Sequence, residues 1–275
     1  MIKYDNYTLI GIGDFSHGNN NIWKFRFNIL KDMYKNTKNQ IRIFNEDTSE
    51  HCKSIMNISK KLSYYKNYDV YQNKYGYGPL DKYCARVYDS PIYLEIIKFI
   101  RKHTERIKII GIDPDKLSRD KQMSINILKH LKKTNINFFW GHNAHVADRH
   151  ITEPYETQWN NEKYRCGYYL KKQLKEKYCI ILSTGYKGSI RFDCECDDIF
   201  CSNRTPHKIP ITKNILLKQK LKSGLYHDFK YKIGEFSACN FTKINIAENA
   251  YYYKNNADYV IFFENINKLQ LFNKK

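Results

Sequence analysis

The sequence predicts an α/β protein: one domain, residues 1–275, whose mostly parallel central sheet is flanked by helices on both faces. Three observations predict it. Apolar runs such as Ile41–Asn45, Ile107–Ile112 and Ile136–Trp140 are continuous rather than alternating, as expected of strands buried on both sides. Between these runs lie stretches with apolar residues at helical spacing. The first four strands also end in ionisable residues, and ligands of such sheets bind outside the carboxyl ends of the strands.

In chain order, Tyr7–Gly13 is the first strand, and it runs into a tight loop bearing Asp14, Ser16 and His17. Asn20 or Asn21 caps a helix from about Ile22, where Trp23, Phe27, Leu30 and Tyr34 recur three and four apart. A second apolar row, Ile22, Phe25, Ile29 and Met33, marks that helix as well buried. Ile41–Asn45 is the second strand, closed by Glu46 and Asp47, after which Thr48 or Ser49 caps a helix reaching about Leu62. Residues 63–90 are crowded with tyrosines and broken by Gly76, Gly78 and Pro79. They read either as a surface excursion or as a lid or substrate wall.

Ser90–Pro91 opens a helix to about His103, with proline at the first helical position. The third strand, Ile107–Ile112, ends at Asp113. A helix over Ser118–Lys133 follows, and the fourth strand, Ile136–Trp140, runs into the loop Gly141-His142-Asn143-Ala144-His145. Helices around Asn161–Lys177 and Lys213–Lys222 and strands at Tyr178–Ser183 and Asp258–Phe263 complete the pattern.

The bulk properties narrow the partners. The net charge of +19 would help any acidic partner, nucleic acid included. Its lysines are dispersed, however, and dense segments such as Lys171–Lys177 read as solvated helix faces, so nucleic acid is not the favoured ligand. Neither a secretory leader nor a membrane-length apolar run is evident, so the expected location is cytoplasmic. Eight cysteines form no disulfide framework. Cys194, Cys196 and Cys201, with His207 beyond, depart from paired Cys-x-x-Cys zinc knuckles, and their acidic neighbours equally suit a solvated loop.

His17 and Asp14, Glu46, Asp113, and His142 with His145 are thus brought to one sheet edge. Such a cluster admits two chemistries. In one, a histidine acts as general base on water, a carboxylate orients it, and polar groups hold the developing oxyanion. In the other, His17, His142 and His145 with Glu46 or Asp14 bind a divalent metal such as zinc. A third reading leaves His142 and Asn143 as partners for backbone groups at a strand end. A non-catalytic binding protein with a basic surface is the alternative from outside enzymology.

Gly13-Asp14-Phe15-Ser16-His17-Gly18 resembles the Gly-Glu-x-x-His-Gly motif of the erythromycin esterase family, and Gly141-His142-Asn143-Ala144-His145 resembles its His-Asn-x-His motif. Arg26 and Glu46 fall where that family carries an arginine and a glutamate. Gly111-Ile112-Asp113, Arg119-Asp120 with Met123, Gly167-Tyr168-Tyr169-Leu170 and Ala257-Asp258-Tyr259-Val260 resemble further landmarks in the same order.

The resemblance implies hydrolysis of an ester or lactone without a covalent enzyme intermediate and without a catalytic metal or other cofactor. In it His17 is the general base, Arg26 and Glu46 shape or polarise the site, and His142 and His145 assist binding or the transition state. Asp14 is placed with the catalytic residues, and Asn143, Asp113 and Arg119 with the substrate-binding ones. The resemblance is to a short, divergent member: Asp14 replaces the family glutamate, and the stretch between Glu46 and the helix at 90–103 is short. A substrate smaller than a macrolide is therefore expected.

Overall fold

The computed structural model describes residues 3–15, 19–58, 90–114, 118–149, 163–192, 207–211, 222–227, 232–233, 251–252 and 256–267. In the first half, β1 (Leu9–Asp14), α1 (Asn20–Asn36), β2 (Ile41–Asn45), α2 (Ser49–Ile58), α3 (Pro91–Lys102) and β3 (Ile107–Gly111) follow one another. Then come α4 (Arg119–His130), β4 (Ile136–His142), the single turn α5 (Asn143–Val146), α6 (Cys166–Leu174) and β5 (Tyr178–Phe192). The remaining strands are β6 (His207–Ile211), β7 (Gly224–Tyr226), β8 (Lys232–Ile233), β9 (Tyr251–Tyr252) and β10 (Tyr259–Ile266).

Eight strands form one sheet in the order β3-β2-β4-β1-β5-β10-β7, with β6 paired to β5. From β3 to β10 every pairing is parallel, while β7 and β6 are antiparallel additions. Helices cover both faces because successive side chains of a strand point opposite ways. On β1, Ile10 and Ile12 join the core under α1 and α3, with Trp23, Leu30, Ile96 and Ile100. Leu9 faces the other core, with Met123 and Ile127 of α4 and Cys166 and Leu170 of α6. Each strand buried on both faces has to be apolar throughout, and this explains the continuous runs.

Most elements lie where periodicity puts them, and the differences have local causes. The cap of α1 is Asn19, whose side chain accepts from the Asn21 amide at 2.8 Å, so the helix starts earlier than the apolar rows suggest. Ser90 caps α3 by accepting from the Tyr93 amide, with Pro91 just inside, as expected. Strands β5 and β10 outrun their apolar cores because they are each other's partners, pairing Phe263 with Gly185 and Ile266 with Gly188. Ladder hydrogen bonds carry both through polar residues. The expected loop after Gly141 is instead the one-turn helix α5. The helix expected from Asn161 begins, among the described residues, at Cys166.

His17, residues 63–89, the cysteines at 194, 196 and 201 and the helix expected from Lys213 lie outside the described residues. Among those described, no helix is long and apolar enough to cross a membrane.

Candidate active site

Parallel register aligns the carboxyl ends of β1 and β4, with Asp14 opposite His142 and Gly13 opposite Gly141. Two layers of charge are built there. The inner one pairs Asp14 Oδ2 with Arg26 Nη1 at 3.1 Å, both side chains wholly buried. Arg26 is the charged member of the buried stripe of α1, within ion-pair distance of Asp14. Its Nη2 also donates to the carbonyls of Ile12 (2.6 Å) and Gly141 (2.9 Å), and its guanidinium lies 4.6 Å from the Trp23 ring centroid. Burial pushes its pKa below the usual arginine value, against the opposing pull of Asp14 and Glu46. The strand ends are thereby tied to α1 by one cation.

The outer layer centres on Glu46, directly after β2. Its backbone N–H donates to the Trp140 carbonyl, which fixes it beside β4. Oε2 accepts from the His142 amide at 2.5 Å. Oε1 lies 2.9 Å from Arg119 Nη2 and 3.3 Å from His145 Nε2. Arg119, in the first turn of α4, also holds Asp113 Oδ2 through Nε at 2.8 Å and Nη2 at 2.5 Å. Burial alone would lower the Arg119 pKa, but Glu46 and Asp113 outweigh it and raise it above the usual arginine value. Ser118, just before it, has φ 61°, a left-handed conformation that costs a non-glycine residue roughly 1–2 kcal/mol.

The network continues inward from His145. Its Nδ1 lies 2.7 Å from Asp120 Oδ1, which also accepts from the Cys166 amide, while Oδ2 takes Arg165 Nη1 at 3.1 Å. Desolvation would raise the pKa of Asp120. His145, Arg165 and the Cys166 N–H overcome it and hold the carboxyl down at about 2. Asp113, Arg119, Glu46, His145, Asp120 and Arg165 thus alternate acceptors with donors. Arg119, with 28% of its side chain exposed, is the most open member, against 7% for Glu46 and 8% for His145.

The candidate residues therefore fall into groups. Asp14 and Arg26 form the buried pair; Glu46, Asp113, Arg119 and His145 converge around one guanidinium. His142 is half-buried and its Nδ1 accepts from the Ala144 amide, capping α5. Asn143 is wholly buried and exchanges two hydrogen bonds with the backbone of Ser183 on β5, at 2.8 and 3.1 Å. Sequence reasoning left Asp120, Arg165 and Ser183 out of the site, although the Arg119-Asp120 pair stood among the family landmarks.

Among the described residues no group of three His, Cys, Asp or Glu is arranged to hold a metal. The alternative ligand set includes His17, outside them. Of its members within them, Glu46 and His145 are already bridged by the Arg119 guanidinium.

The family model of erythromycin esterase matches residues 93–232, just over half of the chain. The chain belongs to the erythromycin esterase family. No curated protein matches it in sequence. In fold, this esterase-family chain is similar to a crystal structure from Bacillus cereus, with TM-score 0.68 and 11% identity over 98% of this chain and 92% of that one. A succinoglycan biosynthesis protein gives TM-score 0.61 at 10% identity, covering 97% and 90%. A histidine-to-asparagine mutant of the erythromycin esterase EreC, in its open conformation, gives 0.57 at 8%, covering 98% and 93%. The family match and the EreC fold point the same way, toward an esterase-type α/β protein.

Proposed function

We propose that this erythromycin-esterase-family protein hydrolyses an ester or lactone by direct attack of water, with His17 as general base. The observation that carries the proposal is the convergence of Glu46, Arg119 and His145 at the strand ends of a chain in that family. Arg119 supplies a fixed cation, partly open to solvent, for the oxygen that gains charge as the carbonyl is attacked. Glu46 and Asp113 hold its guanidinium in place. His145 stands beside it to bind the substrate or stabilise the transition state, with His142 in a supporting place at the end of β4. Asp14 and Arg26 hold β1 and β4 together beneath, and Asn143 holds the start of α5 to β5. No metal takes part in this scheme. The substrate is expected to be smaller than a macrolide, an expectation that rests on the short stretch after Glu46.

The test is turnover of a panel of small esters, lactones and one macrolide by wild type and His17→Ala, with and without chelator. Loss of a general base is expected to lower kcat by roughly 10²–10⁴, independently of chelator. Chelator-sensitive turnover would replace this scheme with the metal-dependent one. A His17→Ala rate equal to wild type would remove His17 as the base.

A further inference from the structure

Three groups with fixed hydrogen-bonding roles meet the ring of His145, one of them Glu46 Oε1, an acceptor 3.3 Å from Nε2; the two shorter contacts lie on opposite sides of the ring. On one side is the carboxylate of Asp120, which can only accept; its Oδ1 lies 2.7 Å from Nδ1. On the other is the guanidinium of Arg119, which can only donate; its Nη1 lies 3.2 Å from Nε2. We propose that Asp120 is a positioning residue for this site, keeping a proton on His145 Nδ1 and so fixing Nε2 as the nitrogen presented to Arg119 and Glu46.

Asp120 is built for that task. It is wholly buried in the first turn of α4, and each of its oxygens has a donor besides the ring or in place of it. Oδ1 accepts from the Cys166 amide at 2.8 Å and Oδ2 from Arg165 Nη1 at 3.1 Å. His145 first, and then Arg165 and the Cys166 amide, outweigh burial and hold the carboxyl's pKa down at about 2. Because Arg165 and Cys166 lie at the start of α6, the packing of α4 on α6 sets the carboxylate's position. An imidazole so anchored at Nδ1 has one orientation, as an outer-shell carboxylate enforces on a histidine elsewhere.

The consequence reaches the reacting side. With Nδ1 occupied, Nε2 accepts from Arg119, and Arg119 is thereby held from three directions, by Glu46, Asp113 and His145. Glu46 Oε1 lies 3.3 Å from the same Nε2. Were the ring to gain a second proton, each of its nitrogens would have a carboxylate to donate to.

Proton-nitrogen correlation NMR of the imidazole rings tests this directly on the full chain. His145 is assigned by the signals lost in His145→Gln, and spectra are taken at about pH 8, above the usual histidine range. The expected result is a proton on Nδ1 and none on Nε2. In Asp120→Asn, whose amide can donate, the proton is expected to move to Nε2. A wild-type proton on Nε2, or an unchanged tautomer in Asp120→Asn, would overturn the proposal.

The kinetic arm rests on the esterase reading. There Asp120→Asn is expected to lower kcat roughly 10²-fold or more while KM moves by a few-fold at most. Unchanged kcat would overturn the proposal as well, since a merely structural aspartate would cost thermal stability and leave the tautomer alone. Should wild type turn over no ester, the esterase reading falls while the NMR result still decides the role of Asp120.

Discussion

Arg26 lies in the apolar stripe of α1, between Trp23 and Phe27, where an unpaired charge would be very costly. Its ion pair with Asp14 and two carbonyls on neighbouring strands offset that cost and turn it into a clamp on the strand ends. Asp120 works similarly one layer out, and its ionisation has a measurable sign. Its pKa is depressed in the folded protein, so its contribution to stability is present above the unfolded value of 3.8 and is lost as pH falls toward about 2. In urea unfolding, the stability gap between wild type and Asp120→Asn should narrow by roughly 2 kcal/mol as pH is lowered from about 6 toward 2. A gap that stays constant over that range would mean that the carboxylate gains nothing from His145 and Arg165.

At the scale of elements, the junction of β1, β4, α5 and β5 decides how closely the carboxyl ends of these strands approach. A Cβ on Gly13 would come within 2.5 Å of Asn143 Oδ1 and 3.0 Å of the Asn143 Cα. The glycine therefore allows α5 to sit against β1, with Asn143 reaching past it to Ser183 and Ser183 Oγ accepting from the Phe15 amide. Gly13→Ala is expected to destabilise the protein by roughly 1–3 kcal/mol and to lower activity with it. Calorimetric unfolding checks the first effect; an unchanged Tm would mean that the contact is slack. This junction was only half legible in the sequence. The glycine and the asparagine were both visible as motif residues, but periodicity has no purchase on a single helical turn. Ser183, at the end of an apolar run, carried no signal of its own.

For the molecule as a whole, the sequence foretold the sheet because a strand buried on two faces must be apolar throughout, and its helices show regular spacing. The same logic located Asp14, Glu46, Asp113 and His142 at one edge, since parallel strands send their carboxyl ends the same way. It could not reveal which charges pair. Arg119, Asp120 and Arg165 come from the first turn of α4 and the entry to α6, and their meeting with His145 depends on how those helices pack. That packing is a property of the assembled core, not of a local pattern.

Glu46 is the hub that joins Arg119, His145 and the end of β4. Glu46→Gln keeps the shape and an oxygen to accept from the His142 amide while removing the charge that holds Arg119. The decisive measurement is kcat/KM of Glu46→Gln against wild type on the best ester of the panel, with folding of the variant verified by calorimetry. A fall of roughly 10²–10³ in a folded variant is the expected result. A folded Glu46→Gln that hydrolyses the ester at the wild-type rate would contradict the assignment of this cluster as the active site.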